Sequence, residues 1–147
     1  METRREFCAY VSLVTLGAVL EGCGGSPTSP GFGAAALPTA SASIVNGAVV
    51  LTIDAASPLS VVGSAALVLS GIGSFLVART AQSTFTALTS TCTHEACTIT
   101  GFESQTYVCP CHGSQFNTGG AVLSGPAPRS LRQFATQFAN NVLTIAV

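Results

Sequence analysis

The chain has 147 residues, a formal net charge of −1 and only 7% charged residues, with no lysine. That length suits one domain with flanking segments. Beyond position 22 the charges are Asp54, Arg79, Glu95, Glu103, Arg129 and Arg132, three of each sign. No basic stripe exists for a phosphate backbone, which excludes nucleic acid as a partner. So sparse a pattern also steers soluble partners weakly and suits a protein held beside its partner.

Residues 1–22 read as a targeting segment. Thr3-Arg4-Arg5-Glu6-Phe7 resembles the twin-arginine export motif, and an uncharged, mostly apolar run follows from Cys8 to Leu20. That run has 13 residues, whereas a helix needs about 20 to cross a bilayer. Leu20-Glu21-Gly22-Cys23 then resembles a bacterial lipoprotein processing box, with Cys23 as the acylated first residue. The expectation is export to the periplasmic side and a lipid anchor; the alternative is an uncleaved membrane anchor. Residues 23–43, rich in Gly, Ser, Pro and Ala, read as a flexible tether.

From Ile44 the pattern turns to β. Val49–Ile53, Ser74–Ala78, Phe85–Thr89 and Val142–Ala146 are short β-branched or apolar runs, most of them separated by Gly, Pro, Asn or Ser. Leu59–Leu69 reads as strand and turn. Phe134, Thr136 and Phe138 alternate with Ala135 and Gln137, and Asn140-Asn141 offers a hairpin turn before the last strand. An all-β domain over residues 44–147 is expected.

The chemistry is concentrated between Thr91 and Phe116. Four of the six cysteines and both histidines lie there, as Cys92-Thr93-His94-Glu95-Ala96-Cys97 and Cys109-Pro110-Cys111-His112-Gly113-Ser114-Gln115-Phe116. Two cysteines and two histidines can hold one tetrahedral zinc. They can also hold a [2Fe–2S] cluster with thiolates on one iron and imidazoles on the other. Zinc modules usually pair Cys with Cys and His with His. Here each knuckle supplies one of each, as Cys92-x-His94 and Cys109-x-x-His112, which favours the cluster.

These two motifs resemble the Rieske iron–sulfur proteins, of the disulfide-bearing class found in cytochrome bc and bf complexes. The resemblance covers roughly residues 44–147. It implies an all-β fold of stacked antiparallel sheets with a small cluster-binding subdomain at about 91–128. It implies one [2Fe–2S] cluster per subunit, with Cys92 and Cys109 on the buried iron and His94 and His112 on the outer, solvent-facing one. It also implies a disulfide between Cys97 and Cys111, which requires an oxidising compartment, and a Ser114 hydroxyl donating to a bridging sulfide. Gly125-Pro126-Ala127-Pro128-Arg129 matches the family's proline-rich cover loop. Gly119-Gly120 reads as a structural turn, and Arg129 and Arg132 as surface residues.

Two positions depart from the high-potential members. Phe116 stands where they carry a Tyr that donates to a ligand sulfur, and Glu95 stands where an apolar residue shields the cluster. Both departures lower the expected potential, and Glu95 also wets the docking face. Ala96 replaces a common Gly. The implied function is one-electron transfer coupled to proton transfer through the outer nitrogens of His94 and His112. The implied setting is the iron–sulfur subunit of a quinol–cytochrome c oxidoreductase, with cytochrome b- and c-type partners. The alternatives are the small Rieske subunit of a periplasmic molybdenum oxidase, resembling arsenite oxidase, and a stand-alone periplasmic shuttle. A structural zinc module is the rival from another class.

Overall fold

The computed structural model describes residues 33–147; the export segment and Cys23 lie outside that range. Thirteen strands and no helix form among the described residues: β1 Thr39–Ser41, β2 Ser43–Val45, β3 Ala48–Thr52, β4 Ala65–Ser70, β5 Gly73–Ala81, β6 Thr84–Thr89, β7 Gly101–Glu103, β8 Thr106–Val108, β9 Gln115–Asn117, β10 Val122–Ser124, β11 Gln133–Phe134, β12 Thr136–Ala139 and β13 Val142–Ala146. They assemble into three sheets, in the orders β1-β4-β5-β6-β11, β12-β13-β3-β2 and β10-β9-β8-β7. The expected all-β architecture of stacked, mainly antiparallel sheets is present.

The five-stranded sheet lies in the middle and is buried on both faces. In β4 to β6, Ala66, Val68, Phe75, Val77, Phe85 and Ala87 pack toward Val49, Leu51, Leu143 and Ile145 of the β12-β13-β3-β2 sheet. The alternate residues Ala65, Leu67, Leu76, Ala78 and Leu88 pack toward Tyr107, Phe116, Cys92 and Cys109. Side chains alternate along a strand, so a strand covered on both faces reads as one continuous apolar run. That is why Ser74–Ala78 lacks a polar alternation. Each fully buried Leu or Phe contributes roughly 1.5–3 kcal/mol.

Arg79 breaks the apolar series of β5 and is nevertheless buried. Its guanidinium donates to the carbonyls of Leu59, Ser60 and Gln82. It also stacks 5.2 Å from the centre of the Phe85 ring. A buried charge persists only when its donors are satisfied, and here backbone carbonyls of the Leu59–Ser60 turn and of the β5–β6 turn do that.

The boundary expected at Ile44 moves back. β1, inside the stretch expected to be a tether, pairs in parallel with β4, with Thr39 opposite Leu67. Leu37 is buried and its N–H donates to the Thr100 carbonyl. Phe102 N–H donates to Ala35 O, and Ala36 forms a bridge with Gly101. The ordered base therefore begins near Ala35. Small residues and Pro38 hide this strand, because the hydrogen bonds of the 35–42 stretch go to residues far along the chain, Leu67 and Leu69 on one side and Thr100 and Phe102 on the other, rather than arising from its own pattern. The final alternating segment also differs: β11 ends the central sheet, and the chain crosses at Ala135 into β12 of the next one. Asn140 and Asn141 form the expected hairpin turn, with φ of 51° and 60°. Such a left-handed pair matches the strand twist.

Candidate metal centre

Two loops stand at the end of the β7–β10 sheet opposite the β7–β8 turn, and they are closed by the same pair of backbone bonds. In the first, Cys92 N–H donates to the Cys97 carbonyl at 2.8 Å and Ala96 N–H to the Cys92 carbonyl at 3.0 Å. In the second, Cys109 N–H donates to Ser114 O at 2.9 Å and Gly113 N–H to Cys109 O at 3.0 Å. The fifth residue of each loop has positive φ, 57° at Ala96 and 73° at Gly113. Glycine takes that conformation freely, whereas alanine is strained in it. The repeat places Cys92 and Cys109 equivalently, with one histidine following each.

The first loop is tied to the base by Ile99 N–H donating to Ser90 O and by a bridge between Thr91 and Thr98. The second grows directly out of β8. Cys97 and Cys111 form a disulfide with their Cα atoms 6.5 Å apart. It joins the loops and leaves Cys92 and Cys109 as the free, buried thiols among the described residues. Cys97, Cys109 and Cys111 also lie within 4.8 Å of one another, but a disulfide carries no thiolate, so those three do not form a ligand set.

Cys92 and Cys109 are each 2% exposed. Burial pushes the Cys109 thiol up, and the adjoining Cys92 adds to this; the backbone N–H groups of Cys111 and His112 pull the other way. Two adjacent buried thiols become thiolates together only when a cation replaces their protons. The histidines lie on the outer side, with ring centres 4.8 Å apart and planes at 88°. His94 Nδ1 is buried without a protein partner. A buried acceptor or donor left so costs about 1–3 kcal/mol, and a metal bond satisfies it. His112 turns Nε2 outward, 3.6 Å from Glu95 Oε2.

His94, Glu95 and His112 could together suit one small divalent ion. That arrangement would leave the two inner thiols, both buried, without a cation. A dinuclear iron group with thiolates inside and imidazoles outside accounts for all four donors, and the residues fit it.

The remaining wall is the 125–128 loop. Gly125 has φ +91°, and a Cβ there would meet the Ser114 Cα at 2.6 Å. Only glycine lets this loop lie against the second cysteine loop. Ala127 N–H then donates to Ser114 Oγ at 3.1 Å, which leaves the hydroxyl proton of this fully buried serine free to donate elsewhere. Thr93 Oγ1 donates to Arg129 O at 2.6 Å and ties the first loop to the same cover. Nothing in the residue pattern announces that tie, since threonine at such a position is unremarkable. Phe116 is fully buried directly opposite Tyr107 in the β8–β9 pair. Glu95, Arg129 and Arg132 are exposed, as expected.

Residues 53–135, more than half of the chain, match the Rieske [2Fe-2S] domain family. The cytochrome b6-f complex iron-sulfur subunit of Chlorobaculum thiosulfatiphilum is 32% identical over 62 residues, covering 42% of this chain and 34% of that one. The chloroplastic subunit of Pisum sativum is 46% identical over 46 residues, covering 31% and 20%. The matched stretches thus span about a third or less of these relatives. A chain in the complex of reduced oxygenase and oxidized ferredoxin in carbazole 1,9a-dioxygenase superposes with TM-score 0.52 at 27% identity, covering 66% of this chain and 92% of that one. With its all-β fold, its paired cysteine–histidine loops and its disulfide, this chain belongs to the Rieske [2Fe-2S] domain family.

Proposed function

We propose that this Rieske iron–sulfur electron carrier serves as the iron–sulfur subunit of a quinol-oxidising complex with cytochrome partners. The observation that carries the proposal is the polarity of the site: two buried thiols on one side, two neighbouring imidazoles on the exposed side, and a disulfide across the loops. Cys92 and Cys109 would hold the inner iron, and His94 and His112 the outer one. The group supplies a one-electron couple, whose potential the surrounding protein sets.

The protein's own contributions follow from the geometry. Burial of the thiols excludes water from the sulfur side. The disulfide and the Thr93–Arg129 tie hold the loops at fixed separation, which limits reorganisation on electron transfer. The Ser114 hydroxyl, whose oxygen already accepts from Ala127 N–H, would have its proton available to donate toward the sulfur side and so would favour the more negative state. The outward imidazole nitrogens offer the place where a quinol hydroxyl can hydrogen-bond, so that a proton leaves with the electron. The b6-f relatives support this reading. Membrane tethering through Cys23 and twin-arginine export to the periplasmic side belong to the same proposal, and release of a Cys23→Ser variant from membranes tests them.

A second reading, a stand-alone shuttle or a molybdenum-oxidase subunit, is favoured by Glu95. Its carboxylate lies against His112 Nε2, where a quinol would bind. A redox titration of the purified holoprotein with EPR of the reduced form tests both. A Rieske-type rhombic signal with a potential that falls as pH rises supports proton-coupled transfer. A pH-independent potential would refute the quinol role and leave the shuttle. A colourless protein with stoichiometric zinc would overturn both.

A further inference from the structure

Among the described residues surface charge is sparse, and the exposed cations are not scattered. Among the described residues the only cations are Arg79, Arg129 and Arg132, and Arg79 is buried. The other two line a single cleft of about 550 Å³, which runs from the first cysteine loop along the 129–132 segment. Thr91, His94, Glu95 and Leu131 line the same cleft. The positions are held. Arg132 lies 4.7 Å over the Phe134 ring, and that ring packs edge-on against Phe75 at 5.1 Å. The Arg129 backbone is bonded to the Thr93 hydroxyl. An arginine stacked on an aromatic loses less freedom when it meets an anion, and its planar fork matches a carboxylate. Glu95, the one acid in the cleft, has its carboxylate at His112.

We propose that this cleft is the docking site for an acidic electron-transfer protein, which presents surface carboxylates to Arg129 and Arg132 beside His94. The inference rests on the electron-carrier reading and specifies the partner's chemistry. Each encounter passes one electron between the two proteins and makes or breaks no covalent bond. With so few other charges, the two arginines set the orientation of approach, and His94 in the cleft wall offers a short exit to the partner's redox centre. The same surface disfavours a basic partner, because like charges in a docked face raise its energy.

The test uses the reduced holoprotein and small oxidants of opposite charge. Stopped-flow oxidation by ferricyanide, which takes one electron and becomes ferrocyanide, is compared with oxidation by tris(1,10-phenanthroline)cobalt(III), in wild type and in Arg129→Gln/Arg132→Gln. A charge-matched control, Val61→Glu/Val62→Glu, adds two negative charges elsewhere. That loop meets the β7–β8 turn through Gln105 Nε2 donating to Gly63 O, at the end of the sheet away from Cys109. At low ionic strength, where the screening length is about 30 Å, the arginine variant should react with ferricyanide about tenfold more slowly. The control should lose far less, and neither should slow with the cobalt complex. Redox-inert hexacyanocobaltate(III) should compete with ferricyanide in wild type and in the control, and not in the arginine variant. Equal losses in the two variants, or no competition, would overturn the docking site. EPR spectra and midpoint potentials of all three proteins separate this from failure of the carrier reading: an absent Rieske signal in wild type refutes the function, whereas an intact signal with equal rates refutes the docking site alone.

Discussion

Gly125 is the position where one added carbon should matter most. In Gly125→Ala the new Cβ meets Ser114 Cα at 2.6 Å, its N at 3.0 Å and Gly113 O at 3.2 Å. All three are backbone atoms, so no side chain can rotate away. The φ of +91° adds about 1–2 kcal/mol for a residue with a Cβ. If the cover loop retreats, the Ala127–Ser114 bond is lost, at about 1 kcal/mol. The sum is about 2–3 kcal/mol before any steric term. For a domain of this size that lowers Tm by about 10 °C. Gly47→Ala is the comparator, because Gly47 has φ +81° and nothing within 4 Å of its would-be Cβ. It should cost only the conformational part, about 1 kcal/mol. Thermal unfolding of the holoproteins, followed by visible absorption, measures both the stability and the retention of the cluster. Gly125→Ala should release iron faster than Gly47→Ala. Equal Tm values and equal iron retention would refute the claim that the cover loop is held by close approach to the second cysteine loop.

Removing the disulfide with Cys97→Ser/Cys111→Ser opens a link with a sequence separation of 14. This should cost about 3 kcal/mol; an unchanged denaturation midpoint would refute it. Phe116→Tyr should raise the midpoint potential by restoring a donor on the sulfur side, and an unchanged or lower value in a redox titration would count against that role. Glu95→Gln removes a negative charge 3.6 Å from His112 Nε2 and should also raise the potential, with the larger effect at low salt. Burial raises the Tyr107 phenol far above its ordinary value of 10.0. The folded chain therefore keeps a proton that the unfolded chain gives up above that pH, so stability should fall as pH rises past about 10. Chemical denaturation at several alkaline pH values should show a shallower fall in Tyr107→Phe, and identical slopes would contradict this.

The ligand chemistry was legible in the chain because it is local. Cys92-x-His94 and Cys109-x-x-His112 each sit within one turn of backbone, so their spacing alone distinguishes a mixed cysteine–histidine site from a zinc finger. The hairpin at Asn140-Asn141 was legible for the same reason, since the turn chemistry resides in two adjacent residues. The long apolar runs of β4 to β6 revealed strands but not their partners. Only assembly showed that the middle sheet is covered on both faces and that alternate residues serve different cores.

What the sequence by itself offered was the candidate donor set, the all-β class and the sparse charge beyond position 22. These depend on residue identity and short-range spacing. The tertiary structure decided where the ordered base begins, because β1 is held by β4 rather than by its own pattern. It decided that Glu95 meets His112 across two loops. It also decided that Arg79 is buried while Arg129 and Arg132 share one cleft beside His94. Each of these is a contact between segments far apart in the chain. Such contacts arise from the packing of whole sheets, which no short window of residues encodes.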